Sequence, residues 1–545
     1  MFLLTFVPNL YLFFYGEISL KSVLFLFMGA SFCLFPALFL KSKIYFGIYF
    51  PFVLLAPLEI GHIIVNKVSV TAGFLLALFN TNASETVSYL SGFKIMIVLA
   101  ALYWALYVYL WIKIPNRYIT DIKKRKIGAC FYAVLFAGIS LLAIFALVTR
   151  FEKPDAGKIL HSVPFSFKSK LNKTYPYSFI MKTGFAISEK KTLMNRYEKI
   201  KDFRFNPLVK SDDECETYVL VMGESARYAN FGINGYCRNT TPFLDSLKME
   251  GKLLIFSNVY ASGNLTGSVL PLLLTRATVP EKDIANREKS IISLFREAGF
   301  KTCMLSNQGE GEPFLRQIAM EADCSYISNT DSSFDEKYDA LLLPHIESFL
   351  NGNEKKRCIF IFTQGNHYKY NFRYPPDFEK FKPTVAKSYF SHEITEKNRE
   401  LFVNAYDNAI LYTDYFIHEI IKKIERLNSK SSLLYISDHG ENIFDAPGIN
   451  IGHGAMIPTK YELHVPMFIW FSESYLQAND PVIINLKNNA DKKINSTNIF
   501  STFANIAGIK YDLYQKEKDF SAETFLPDSV LWVLNPELEA VRYAK

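Results

Sequence analysis

The chain has 545 residues, half of them hydrophobic, and a formal net charge of +7. That length exceeds one ordinary domain, and the apolar residues are concentrated in the first 150 positions, ahead of a mixed, charged, globular composition. The charge is modest and partly flanks the apolar runs, which argues against nucleic acid as a partner and for a membrane.

Four early stretches reach the roughly 20 apolar residues that cross a bilayer core: Ser22–Leu40, Ile44–Val65, Phe93–Ile114 and Ile127–Val148. A fifth, Phe2–Phe14, is shorter and carries Pro8. No basic residue precedes it and no small-residue cleavage site follows, so it does not read as a cleavable signal peptide. Counted as a span, it makes five. Lys41 and Lys43 lie between the second and third spans, and Lys113, Arg117, Lys123, Lys124, Arg125 and Lys126 between the fourth and fifth. The positive-inside rule makes these loops cytoplasmic, which delivers everything after Arg150 to the outer side.

Residues 1–150 are thus expected to form a transmembrane domain. Residues 151–213 are polar, with scattered Lys and Pro, and read as a linker along the membrane surface. From 214 to 545 strand-like and helix-like segments alternate. "TYVLVMGES" and "KLLIFSNVY" read as strands, "SIISLFREAG" as a helix closed by Gly299, and "FKTCMLSN" as the next strand. "FDEKYDALLLPHIESFLNG" reads as a helix ending at Gly352, followed by the strand "RCIFIFTQGNH". A long amphipathic helix covers Asn398–Arg426, and the strands "SLLYIS" and "VPMFIWF" come after it. The alternation predicts an α/β domain with a mainly parallel sheet, which places its sites at the carboxyl ends of strands.

Three predicted strands end in metal-ligand chemistry: one at Glu224, one at His367, and one at Asp438 with His439. Carboxylate oxygen and imidazole nitrogen both suit zinc. Gly223, Gly365 and Gly440 stand beside them, where the backbone must turn tightly. The alternative for Asp438 and His439 is a strand end facing water. His453, in "NIGHGAM", lies on what reads as a mobile loop; a lone loop histidine ordinarily faces solvent, but this one is close in sequence to the Asp–His pair. His62 lies within a predicted span and has either a structural or a substrate role. His161, His345, His392, His418 and His464 read as surface or capping residues. Thr266, in "ASGNLTGSVLPLLLTR", precedes apolar residues at helical spacing. A threonine there is ordinarily a cap; a hydroxyl at a positive helix end beside a metal is also positioned as a nucleophile. Cys215, Cys237, Cys303, Cys324 and Cys358 are odd in number and show no CxxC spacing, so a pair such as Cys303–Cys324 is compatible with the sequence but not deducible from it.

"GESARYANFGINGYCRNTTPFLDSL", Thr266 five residues before Pro271, "QGNHYKYNFRYPP", "NAYDNAILYTDYF", "SDHGEN" and "GHG" together resemble the phosphoethanolamine transferases of Gram-negative bacteria. These belong to the alkaline phosphatase superfamily and include the transferable colistin-resistance enzymes. The resemblance covers nearly the whole chain and implies a multi-pass inner-membrane protein with a periplasmic catalytic domain. It implies that Glu224, Thr266, Asp438 and His439 hold a catalytic zinc ion and that Thr266 becomes phosphorylated. His367 and His453 would contact the phosphoryl group, protonate the leaving group, or help hold a second zinc. "TNASETVSYL" is similar to a segment that contacts the donor head group, which makes Asn82 and Glu85 candidates; a charge at the membrane–water boundary is the alternative for Glu85. The implied donor is phosphatidylethanolamine and the acceptor lipopolysaccharide, with "HYKYNFRYPP" resembling members that modify core heptose or Kdo at least as much as those acting on lipid A phosphates. A monomer is expected. The family's bracketing cysteines are replaced here by Ser262 and Leu272. Two other readings stand beside this one: a phosphoglycerol transferase or sulfatase-like hydrolase of the same fold, and a membrane sensor with a structural metal site.

Overall fold

The structure, a computed structural model, describes residues 6–11, 34–66, 69–80, 94–118, 121, 123, 126–128, 130, 175–208, 214–308, 313–328, 338–387, 394–446, 449–478 and 481–543. The chain divides into two compact units, Met1–Leu75 with Phe93–Ile187 and Leu76–Gly92 with Ser188–Lys545.

In the first unit, two of the described helices are long and apolar enough to cross a membrane, over Ser42–Ile64 and Met96–Lys113. They belong to α1 (Ser42–Asn66) and α2 (Lys94–Lys113) and match two of the predicted spans. Phe2–Phe14, Ser22–Leu40 and Ile127–Val148 fall largely outside the described residues. Polar tips of aromatic side chains need partners in an apolar setting, and those of α2 find them on the α1 backbone. Tyr107 Oη donates to the Phe46 carbonyl (2.9 Å), Trp104 Nε1 to Val53 (3.2 Å) and Trp111 Nε1 to Lys43 (3.0 Å). Gly47 makes room for Trp111, since a Cβ there would stand 3.1 Å from the indole. The start of α1 meets the end of α2: Ser42 donates its N–H to the Arg117 carbonyl (2.9 Å) and its hydroxyl to that of Pro115 (2.5 Å). The helices therefore run antiparallel, with Lys41, Lys43, Lys113 and Arg117 at one end. At the other end Glu59 accepts from Ser69 Oγ (2.5 Å) and from the Val70 N–H (3.3 Å), and His62 packs edge-on against Phe74.

The second unit is built on a seven-stranded sheet. In chain order its strands are β1 (Glu216–Gly223), β2 (Leu253–Phe256), β3 (Lys301–Ser306), β4 (Cys324–Ile327), β5 (Lys356–Phe362), β6 (Lys430–Ser437) and β7 (Met467–Phe471). They lie in the order β2-β7-β6-β1-β5-β3-β4. The sheet is mixed: β6, β1, β5, β3 and β4 are parallel, whereas β7 is antiparallel to both β6 and β2. The near-continuous apolar runs of the central strands follow from burial on both faces, and alternate residues feed two cores. Leu220, Met222, Phe360, Phe362, Leu434 and Ile436 pack with α4 (Thr266–Leu274) and α6 (Ile499–Ile506). Val219, Val221, Ile359, Ile361, Leu433 and Tyr435 pack against α5 (Arg399–Glu425) and α3 (Pro242–Met249).

Several elements differ from the sequence reading. "KLLIFSNVY" breaks at Ser257 and Asn258 into β2 and a short strand, Val259–Tyr260, which pairs outside the main sheet. Within the helix expected over "FDEKYDALLLPHIESFLNG", Asp339–Leu342 forms a 3-10 turn and the α-helix covers only Leu343–Leu350, because Pro344 suits a first turn. β4 was not foreseen; Cys324 on it forms a disulfide with Cys303 on β3. The segment expected as a linker is partly built into the second unit. Arg196 is fully buried, its Nε and Nη2 donating to the Ala285 and Glu288 carbonyls (2.7 Å each) and its Nη1 to Glu321 (3.1 Å).

Asp414 of α5 is buried and accepts from the N–H groups of Phe243 and Leu244 in the first turn of α3 (2.9 Å each). Burial outweighs these bonds and pushes its carboxyl up to about 7. The folded protein thus keeps a proton that the unfolded chain loses near pH ~4. Stability from this group is full at low pH and is lost as pH rises from about 4 through 7. In denaturant titrations of the detergent-solubilised protein, the fall in stability between about pH 5 and about pH 8 should shrink in Asp414→Asn. An unchanged fall would mean that this carboxyl titrates normally.

Candidate metal centre and nucleophile

The site is set by register. β1 and β6 are parallel neighbours with Gly223 opposite Ser437, so the next residues on each, Glu224 and Asp438, emerge side by side. The Asp438 N–H donates to the Gly223 carbonyl (3.1 Å), which holds the two strand ends level. Gly365, after β5, has φ +41°, and a Cβ there would stand 2.9 Å from the Glu224 carbonyl oxygen; a side chain would push the strand ends apart.

Glu224, Asp438 and His439 are buried, and their ligand atoms lie within 4.8 Å of one another; among the described residues this is the one such group. Thr266 joins them. Leu265, not Thr266, occupies the N-cap position of α4, so the threonine is free of the capping role. Its Oγ1 donates to Glu224 Oε2 (3.1 Å) and lies 3.2 Å from His439 Nε2. His439 Nδ1 is 2.9 Å from the Gly440 carbonyl. A carbonyl can only accept, so Nδ1 carries the proton and Nε2 keeps a lone pair turned toward the threonine and the acids.

Two facing carboxylates without a cation are costly. Burial first, and then the charge of Asp438, hold the Glu224 carboxyl well above its usual range. Asp438 Oδ2 is buried and has no hydrogen-bond partner. An orphaned carboxylate oxygen, a second carboxylate, an imidazole lone pair and a hydroxyl form a donor set that fits zinc.

The structure also brings His453 to the centre, by a route the sequence reading did not contain. The expected mobile loop is a β-hairpin, Asn442–Ala446 with Ile449–Gly452, in which Asn442 pairs with Gly452. That pairing returns the chain to where it left, so His453 stands beside Glu441. Its Nδ1 is 2.7 Å from Glu441 Oε2, and its ring centroid is 4.1 Å from that of His439. Tyr370 donates to the other oxygen of Glu441 (2.7 Å). Burial pushes the Glu441 carboxyl up to about 7 and, ahead of the effect of His439, holds the His453 imidazole well below its usual range.

His367 follows β5 and is exposed; the protein packed around it, and then Arg373, His453 and His439, hold its imidazole well below the usual range. Asn82 and Glu85 lie outside the described residues.

Four contributors escaped the sequence reading. Gln308, just beyond the end of β3, donates to Glu224 Oε2 (3.0 Å) and to the Thr363 carbonyl (2.9 Å); the strand-end rule that found Glu224 would have found it. Ser225 and Glu441 are neighbours of ligands in "GES" and "DHGEN", and Tyr370 had no local signal. Of the histidines read as surface or capping residues, His464 does cap the short helix Lys460–Leu463, and those described also pack on aromatic rings. His345 stacks on Tyr326, His418 on Phe243, and His464 between Tyr228 and Tyr260.

Fold and site together define an α/β protein with a candidate metal centre and a hydroxyl at the carboxyl ends of its strands. The sulfatase family model matches residues 216–509, and the chain belongs to the sulfatase family, within the alkaline phosphatase superfamily. It is 29% identical over 476 residues to phosphoethanolamine transferase EptC of Escherichia coli (strain K12), covering 85% of this chain and 79% of that protein. The crystal structure of the C-terminal periplasmic domain of Escherichia coli EptC in complex with Zn superposes with a TM-score of 0.56 at 28% identity, covering 62% of this chain and 95% of that one. The integral membrane lipooligosaccharide phosphoethanolamine transferase A (EptA) from Neisseria meningitidis shares the fold over 95% of this chain and 97% of its own, with a TM-score of 0.70 at 21% identity.

Asp438→Asn should lower zinc affinity by more than about 10-fold, because it removes a ligand charge. It should also raise the melting temperature of the chelator-stripped protein, because one of two facing buried charges is gone. Zinc content by elemental analysis and melting in chelator test both; unchanged zinc content would remove Asp438 from the ligand set.

Proposed function

We propose that this protein transfers phosphoethanolamine from phosphatidylethanolamine to lipopolysaccharide, with Thr266 as the covalent carrier. The observation that carries this reading is the Thr266 hydroxyl, held 3.1 Å from Glu224 Oε2 and 3.2 Å from His439 Nε2, beside the bare Asp438 oxygen. Glu224, Thr266, Asp438 and His439 would hold one zinc ion. When bound, zinc supplies Lewis acidity that lowers the threonine's pKa and offsets charge developing on the phosphoryl oxygens.

Thr266 Oγ attacks the phosphorus of the donor lipid, the bond from phosphorus to the diacylglycerol oxygen breaks, and phosphothreonine forms. The threonine proton passes to Glu224, whose Oε2 already accepts the hydroxyl's hydrogen bond. The departing oxygen takes a proton relayed from water through His453 or His367. An acceptor oxygen on lipopolysaccharide then attacks the phosphothreonine, loses its proton to the same histidine, and Thr266 is released. Glu441 holds His453 by Nδ1 and supports the transient imidazolium, while Tyr370 orients Glu441.

In this reading residues 1–150 form five spans, residues 151–213 bridge, and residues 214–545 are the periplasmic catalytic domain of a monomeric inner-membrane protein. The anchor fits a reaction between two lipids of one leaflet. Asn82 and Glu85 are assigned to the donor head group, and the acceptor to the core sugars, on the resemblance of "HYKYNFRYPP". Each transfer adds a cationic group to the acceptor and weakens its attraction for cationic peptides.

Lipopolysaccharide from cells expressing the wild type should gain a phosphoethanolamine mass in the core fraction, and that from cells expressing Thr266→Ala should not. A gain only in lipid A would move the acceptor. No gain in either fraction, with folded protein in the membrane, would overturn the assignment. With purified protein, His453→Ala should lower the rate of diacylglycerol release by about 10²–10⁴-fold while zinc content stays at the wild-type level. Loss of zinc in that variant would make His453 a ligand instead.

A further inference from the structure

Ser225 touches both carboxylates of the metal centre. It is buried, and its backbone is left-handed at φ 54°, a conformation rarely adopted by a residue with a side chain. In that conformation its hydroxyl donates to Glu224 Oε1 (2.7 Å) and its N–H donates to Asp438 Oδ1 (3.1 Å). Asp438 Oδ1 also takes the His439 N–H (2.6 Å). The turn is held from behind by Tyr406 of α5, which donates its hydroxyl to the Ser225 carbonyl (2.7 Å) and accepts the Arg227 N–H (2.9 Å). One oxygen of each acid is therefore occupied by the same serine. Of the other two, Glu224 Oε2 accepts from Thr266 and Gln308, and Asp438 Oδ2, which has no hydrogen-bond partner, lies 3.4 Å from His439 Nε2.

We propose that Ser225 is a positioning residue that fixes each carboxylate to offer a single oxygen, and so selects a small, low-coordination ion such as zinc over larger, oxygen-seeking cations. The inference rests on the metal-centre reading above. Zinc is satisfied by four ligands, whereas harder ions prefer more oxygens and accept both oxygens of one carboxylate. Glu224 Oε1 already lies within 3.7 Å of His439 Nε2, so once the serine hydroxyl is gone a two-oxygen grip by Glu224 comes within reach.

The test uses the full chain in detergent, stripped by chelator and titrated separately with zinc and with manganese. Ser225→Gly accommodates the left-handed backbone and removes the hydroxyl together with Cβ; Ser225→Ala, the second variant, removes the hydroxyl alone. Zinc affinity should fall about 10–100-fold, manganese affinity should fall less or rise, and X-ray absorption should show bound zinc gaining a light-atom neighbour over the roughly four of the wild type. Equal losses for both metals would make Ser225 a general support and overturn the selectivity assignment. Unchanged zinc affinity in Ser225→Gly, with zinc lost in Glu224→Gln, would overturn the inference alone. Zinc binding unaffected in both would overturn the metal centre with it.

Discussion

The pairing of β1 with β6 is the constraint on which the site depends. Parallel neighbours in register present equivalent positions at one level, and here those positions carry two acids. Left to themselves, Glu224 and Asp438 would repel each other in a place water barely reaches. Much of the surrounding chemistry addresses that conflict: N–H and O–H donors converge on three of the four oxygens, an imidazole lone pair is turned inward, and a hydroxyl is brought up on the first turn of a helix. The arrangement is well suited to a dication and poorly suited to its absence.

How much of this the sequence disclosed depends on the range of the interactions involved. Glu224, Asp438, His439 and Thr266 each announce themselves locally, as polar residues at the end of an apolar run or at the start of one, and the rule that sites gather at strand ends converts four local signals into one place. His453 could be suspected from proximity alone, but what delivers it is the hairpin register that sets Asn442 against Gly452. Tyr370 and Tyr406 are 71 and 181 residues from the groups they hold, Glu441 and Ser225, and no local pattern encodes such partners. The same limit explains β4, whose four residues carry no apolar alternation strong enough to read, and the histidines that stack on aromatic rings.

The family match bears on the second unit, and the likeness to solved structures extends the shared fold over 95% of the chain. In this chain the helix that carries Thr266 has Ser262 before it and Leu272 within it, and the disulfide joins the two strands at the far edge of the sheet. Alignment of Thr266 therefore rests on packing of Val269, Leu270, Leu273 and Leu274 against the sheet, all of them buried.

The contact between the start of α1 and the end of α2 has an electrical meaning. Because Ser42 binds the Arg117 and Pro115 carbonyls, Lys41, Lys43, Lys113 and Arg117 share one end of the helix pair. In an energised membrane these four cations respond to the potential as one body. Moving all four through a 100 mV potential difference changes the energy by about 9 kcal/mol. A single hydrogen-bonded corner thus makes two separate basic clusters act together.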